Sequence, residues 1–169
     1  MTAMKKGLLV AVIQVLLVTS LGLKLLVDRA TRPRVWVQSV SYDPNLPIRG
    51  RYVALRARLQ TDVAPPSDKN YWYATTQVRL EVRDGKLFGV QDPAGSVTMS
   101  WVKNRNGQWE AMTSEPSLFF IPDTAIDPSF RKSGEQLWFE ATIPKKGQPR
   151  PIRLAVSRPD GTFTPLETR

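Results

Sequence analysis

The chain has 169 residues and a net charge of +9, enough length for one domain with its own core. It contains no cysteine and no histidine. That excludes disulfides, thiolate chemistry, a Ser-His-Asp triad and any Cys- or His-ligated metal site, and leaves Lys, Asp, Glu or Tyr as candidate general bases.

The first element is the run GLLVAVIQVLLVTSLGLKLLV, Gly7 to Val27, behind MTAMKK. About 20 apolar residues cross the roughly 30 Å hydrocarbon core of a bilayer as a helix, so the run predicts a signal-anchor helix. Gln14 is its one strongly polar residue deep inside, and Lys24 near the far end can snorkel to the interface. A cleaved signal peptide competes with this reading, but Val18 and Ser20 make a mediocre cleavage pattern. A buried soluble helix would be apolar on one stripe, whereas this run is apolar all round. Lys5, Lys6 and the amino terminus favour an inside N-terminus, while Lys24, Arg29, Arg32 and Arg34 crowd the other end. The short N-terminal tail tips the expectation to N-inside, C-outside. The expected division is an anchor with a short cytoplasmic tail over 1–28, a juxtamembrane linker over 29–34 and one extracytoplasmic β domain over 35–169.

After Arg34 the pattern switches to period two, the mark of half-buried strands. Over Tyr52–Leu59, Val53, Leu55, Ala57 and Leu59 point one way, and Tyr52, Arg56 and Arg58 the other. Gln77–Arg83 alternates, with Val78, Leu80 and Val82 inward. Asp84-Gly85 then predicts a type I′ hairpin into Lys86–Val90. Val97, Met99 and Trp101 form another inward row, and the 104–107 segment Asn-Arg-Asn-Gly a hairpin loop toward Trp109. Leu118–Ile121 reads as a short central strand stopped by Pro122. Leu137, Phe139, Ala141 and Ile143 alternate again, as do Ile152, Leu154 and Val156, followed by an Asp160-Gly161 turn and a tail strand through Phe163. Asp127, Pro128 and Gly134 fit the cap, first position and end of one short helix. Pro65-Pro66-Ser67-Asp68 marks a long loop inside the domain. About eight to ten short strands with close turns predict a mainly β fold, an antiparallel sandwich or partly closed barrel.

Removing residues 1–28 takes away Lys5, Lys6, Lys24 and Asp28, leaving 21 basic and 14 acidic residues and a net charge of +7. Such a surface attracts anionic lipid head groups or acidic partners. The place to build a basic patch is PIRGRYVALRARL, residues 47–59. Arg49 and Arg51 flank Gly50, which can take the positive φ of a turn, and Arg56 and Arg58 lie on the outer strand face. No nucleic-acid motif is present and no nucleic-acid partner is expected. Asp123 and Asp127 supply too few ligands for a calcium loop, so no metal and no cofactor is expected. Tyr71-Trp72-Tyr73 reads as strand packing, with an interfacial belt as the alternative.

An apolar anchor, a strand, Asp43-Pro44 and then Arg49-Gly50-x-Tyr52-Val53-x-Leu55 resemble the bacterial GDYXXLXY-domain family, named for that motif. Phe119–Pro122, Leu137-Trp138 and Pro149–Leu154 extend the resemblance over most of the chain. Two motif positions depart from it: the family's Asp is Arg51 and its final Tyr is Ala57. The resemblance implies a single-pass protein of a bacterial inner membrane, its bulk periplasmic, of unestablished biochemical function. It also implies a multi-pass integral membrane protein as a reasonable partner. Independently of the resemblance, Gln14 reads either as a hydrogen-bonding point to a partner helix in lipid, worth about 1 kcal/mol, or as a single tolerated polar residue.

The expected role is therefore a non-enzymatic accessory or interaction module. One alternative is a serine-lysine hydrolase, because Ser41-Tyr42-Asp43-Pro44-Asn45-Leu46 faintly resembles the serine box of membrane-anchored signal peptidases. That chemistry needs a desolvated lysine within hydrogen-bond reach of the serine, and Lys69, the nearest downstream, sits in a polar loop. The other alternative is a carrier whose β domain holds a small acidic or lipidic molecule.

Overall fold

A computed structural model describes residues 3–42, 52–66, 74–104, 106–122 and 133–166. The chain divides into two compact units, Met1–Arg32 and Pro33–Arg169.

The first unit is one helix, α1, Ala3–Thr31. Its Met4–Asp28 segment is long and apolar enough to cross a membrane, and its apolar side chains are exposed on every side. Gln14 lies within it. The helix runs past the expected anchor end. Arg32 N donates to Asp28 O at 3.0 Å, Thr31 Oγ1 donates to Val27 O at 2.7 Å, and Arg32 pairs with Asp28 at 3.0 Å across one turn. Pro33, which lacks an N–H, follows at once. Residues 29–31 of the expected linker over 29–34 are thus helix and Arg34 is already strand, so only Arg32 and Pro33 separate α1 from the first strand.

The second unit is the mainly β fold expected, a curled antiparallel sheet. Its strands are β1 Arg34–Tyr42, β2 Tyr52–Leu59, β3 Ala74–Arg83, β4 Lys86–Gln91, β5 Val97–Lys103, β6 Trp109–Thr113, β7 Ser117–Phe120, β8 Gln136–Thr142, β9 Arg150–Ser157 and β10 Phe163–Pro165. The spatial order is β10-β9-β8-β1-β2-β6-β5-β3-β4, with β7 on β2 off this path. The Asp84-Gly85 hairpin forms as read, both residues having positive φ, 50° and 70°. At the far end the sheet folds back on itself. Gln60 makes a parallel bridge to Phe88, with Gln60 N donating to Leu87 O at 2.9 Å and Gly89 N to Gln60 O at 2.8 Å. A Cβ on Gly89 would meet Leu59, Val78 and Met99 atoms at 3.4–3.6 Å, ordinary packing distances, so the bridge does not depend on glycine there.

The inner face of the curl is one core. Leu55, Val78, Met99, Leu137, Phe139 and Leu154 are fully buried within it, each removal from water worth roughly 1.5–3 kcal/mol. The inward rows on β2, β3, β5 and β8 are those that the alternation predicts. The row on β9 is less regular, since Leu154 and Ala155 are buried while Ile152 and Val156 are half-buried. β7 is a correction: it is not central. It pairs only with the first half of β2, and Leu118 and Phe120 are exposed. Pro116 and Pro122 bracket it and deny backbone donors at both ends, so it stays a short flanking strand. The expected short helix around Asp127, Pro128 and Gly134 falls mostly on residues outside those described.

Candidate functional site

β1 and β2 each change partner midway. Ser39–Tyr42 of β1 pair with Ala57–Ala54 of β2, whereas Arg34–Gln38 pair with β8 instead. Beyond Ala57, Arg58 and Leu59 of β2 pair with Met112 and Ala111 of β6. Two strands that begin as neighbours therefore splay apart, and a cleft of about 760 Å³ opens in the fork. Trp36, Val37 and Gln38 form one wall. Arg58 to Asp62 and Lys86 to Phe88 form the opposite one, with Trp101, Trp109, Glu110, Ala111 and Trp138 completing the lining.

Four of the chain's five tryptophans line this cleft, and burial alone does not account for that. Trp101 is buried, but Trp36, Trp109 and Trp138 are only partly covered. Trp36 and Trp138 occupy the outward phase of β1 and β8, opposite Glu140 and Gln38 respectively. They are held from outside the cleft. Phe163 of β10 meets both rings edge to face, at centroid distances of 4.9 and 6.1 Å. The Arg153 guanidinium lies 5.5 Å from the Trp36 ring while its Nε bonds Glu140 at 2.6 Å. Trp138 Nε1 donates to Ser157 Oγ at 3.0 Å. Lys103 Nζ sits 4.8 Å from the Trp109 ring, a cation–π contact.

Arg58 ties the fork together. Its Nη1 donates to Gln38 Oε1 at 2.8 Å and its Nη2 to Glu110 Oε1 at 2.8 Å. Asn104 Nδ2 donates to the same Glu110 oxygen at 2.8 Å. Both bonds land on Oε1, and among the described residues neither reaches the second oxygen. On the rim, Asp62 lies 3.7 Å from Arg83. The site thus combines fixed indole rings with planar amide, carboxylate and guanidinium groups, the composition of a binding cleft with a few orienting polar groups.

Of the residues singled out for a basic patch, Arg58 belongs to this cleft and is paired within the fold. Arg56 is half-buried on the same face of β2. Arg49, Gly50 and Arg51 lie outside the described residues. Of the other motif positions, Leu55 is fully buried in the core, and Tyr52 meets Phe120 edge to face at 6.3 Å. Ala57, where the family motif has Tyr, is also buried, its N–H donating to Thr113 Oγ1 at 3.1 Å. The Ser41 backbone pairs with Leu55 inside β1. Lys69, Tyr71, Trp72, Tyr73, Asp123 and Asp127 lie outside the described residues.

Sequence reading missed the cleft. The available signal was the phase of two tryptophans: Val35-Trp36-Val37 and Leu137-Trp138-Phe139 each place an indole where a half-buried strand normally shows a polar side chain. Comparison with protein-family models, with curated proteins and with solved structures finds no match to this chain.

Proposed function

We propose that this protein is a membrane-attached, non-enzymatic recognition module whose binding site is the tryptophan cleft. The observation that carries the reading is the convergence of Trp36, Trp101, Trp109 and Trp138 on one cleft, the partly covered rings among them held by groups behind it. Large apolar rings at a concave, partly wet surface are the usual anchors of binding. Attachment follows from α1: an apolar helix of this length supplies far more burial in lipid than one acyl chain. The bulk of the chain then lies on the extracytoplasmic side, held near the bilayer, where a multi-pass membrane protein or the material around it is the partner. The resemblance to the GDYXXLXY-domain family implies the same attachment and a membrane partner, and no biochemical role.

The test is site-specific photo-cross-linking of the full-length protein in native membranes. A photoreactive residue replaces Gln60, an exposed position in the cleft lining, or Lys146, an exposed position that is not. The expected result is an adduct from position 60 and none from 146, with the protein resisting extraction by alkaline carbonate. No adduct from 60, or equal adducts from both, sinks the recognition reading. Release by carbonate sinks the anchor.

A further inference from the structure

We infer that the cleft binds a neutral oligosaccharide, with pyranose rings seated on the indoles of Trp36, Trp109 and Trp138. The inference rests on the reading of the cleft as a recognition site and adds the chemistry of its occupant.

Charge comes first. Four formally charged side chains line the cleft, Arg58 and Lys86 against Asp62 and Glu110. Two of each sign leave the lining with no net charge, and Arg58 and Glu110 already pair at 2.8 Å. A strongly anionic or cationic ligand finds no complementary potential there, despite the basic balance of the chain as a whole.

The walls come second. A pyranose ring has an apolar face of C–H groups and a rim of hydroxyls. The C–H face gains by leaving water against a flat indole. The hydroxyls need paired donors and acceptors at fixed spacing. Gln38, Gln60, Arg58 and Glu110 carry such planar groups beside the rings. Gln38, Arg58 and Glu110 already bond one another, and a lipid chain would offer nothing to the bonding capacity that they and Gln60 retain.

Preorganisation comes third. Lys103, Arg153, Ser157 and Phe163 hold the rings, yet none of the four lines the cleft. The indoles therefore need little further ordering when a ligand arrives, which favours a weakly gripping, hydroxylated ligand. The volume of about 760 Å³ falls within the ~300–1,000 Å³ of small-molecule sites and admits more than one sugar ring.

The test uses the full-length protein in phosphatidylcholine nanodiscs, free of sugar-based detergent. Maltohexaose, cellohexaose and chitohexaose are the neutral probes. Hexagalacturonate is the anionic probe and decaproline the peptide probe. Tryptophan emission and titration calorimetry report binding. The expected result is a saturable emission change with at least one neutral hexasaccharide. Trp36→Ala should weaken it about tenfold. Gln60→Ala, a change at an exposed side chain whose backbone makes the bridge to β4, should weaken it severalfold with unfolding unchanged. Failure of all three neutral probes overturns the proposal, as does binding untouched by both variants or tighter binding of hexagalacturonate or decaproline. A position-60 cross-link without saccharide binding refutes the sugar while leaving the recognition site standing.

Discussion

The two ends of the β1–β2 pair are built from the same strands and behave differently. Where Ser39–Tyr42 meet Ala54–Ala57, the seam is closed and Leu55 and Ala57 are buried beneath it. Where Arg34–Gln38 and Arg58–Leu59 part to other partners, the seam opens into a cleft that the Arg58–Gln38 side-chain bond spans. The closed end is stabilised by burial and backbone pairing. At the open end, charged and aromatic contacts set shape more than stability, because partly exposed ion pairs are worth about 0–1 kcal/mol.

Substitution can break this comparison, and the closed end should suffer most. Leu55→Ala removes a fully buried side chain from the seam and is expected to cost about 2–5 kcal/mol in urea unfolding. A loss within the range of surface substitutions would show the seam is not the stable end. Thr113→Val keeps the shape but deletes the acceptor of the Ala57 N–H, leaving a buried donor unpaired. The expected loss is about 1–3 kcal/mol, with faster hydrogen exchange at the Ala57 amide.

The open end should respond less. Arg58→Met removes the tie to Gln38 and Glu110. Because Arg58 is 41% exposed, stability should fall by about 1 kcal/mol or less, and added salt should shrink the difference. Tryptophan emission should nevertheless shift, since Trp36 and Trp109 border the same gap. An unchanged spectrum would separate Arg58 from the shape of the cleft.

The smallest effect is expected at the β9–β10 turn that presents Phe163. Asp160 accepts from the Thr162 N–H at 2.8 Å, and this bond, with a second to the Thr162 side chain, holds its carboxyl below the ordinary 3.8. A carboxylate lowered in the folded state stabilises it above 3.8, and that contribution is lost as pH falls through the lowered folded value. Acidification below 3.8 should therefore loosen the turn and lower the protection of the Thr162 amide relative to its intrinsic exchange rate. Asp160→Asn should remove that pH dependence. If that protection does not change with pH in the unaltered protein, the turn does not depend on this carboxylate.

Much of the fold was legible from local pattern. Period-two alternation over Tyr52–Leu59 and Gln77–Arg83 predicted strands that form with those inward rows. Asp84-Gly85 specified its hairpin because few residues tolerate positive φ at two successive positions. The apolar helix was legible too, since length and uniform hydropathy suffice for it. β7 was misplaced because a short apolar run reads the same whether central or flanking; only its neighbours decide.

The sequence by itself determined the mainly β class, most strand phases, the turns and the apolar helix, all of which depend on residues close together in the chain. Only the tertiary structure decided that β1 and β2 splay, that Gln60 closes the curl against β4, and that Trp36, Trp101, Trp109 and Trp138 meet. The reason is physical. Strand phase is fixed by neighbours two residues away, whereas the cleft is assembled by pairings across long stretches of chain, and local pattern carries no record of which strands will meet.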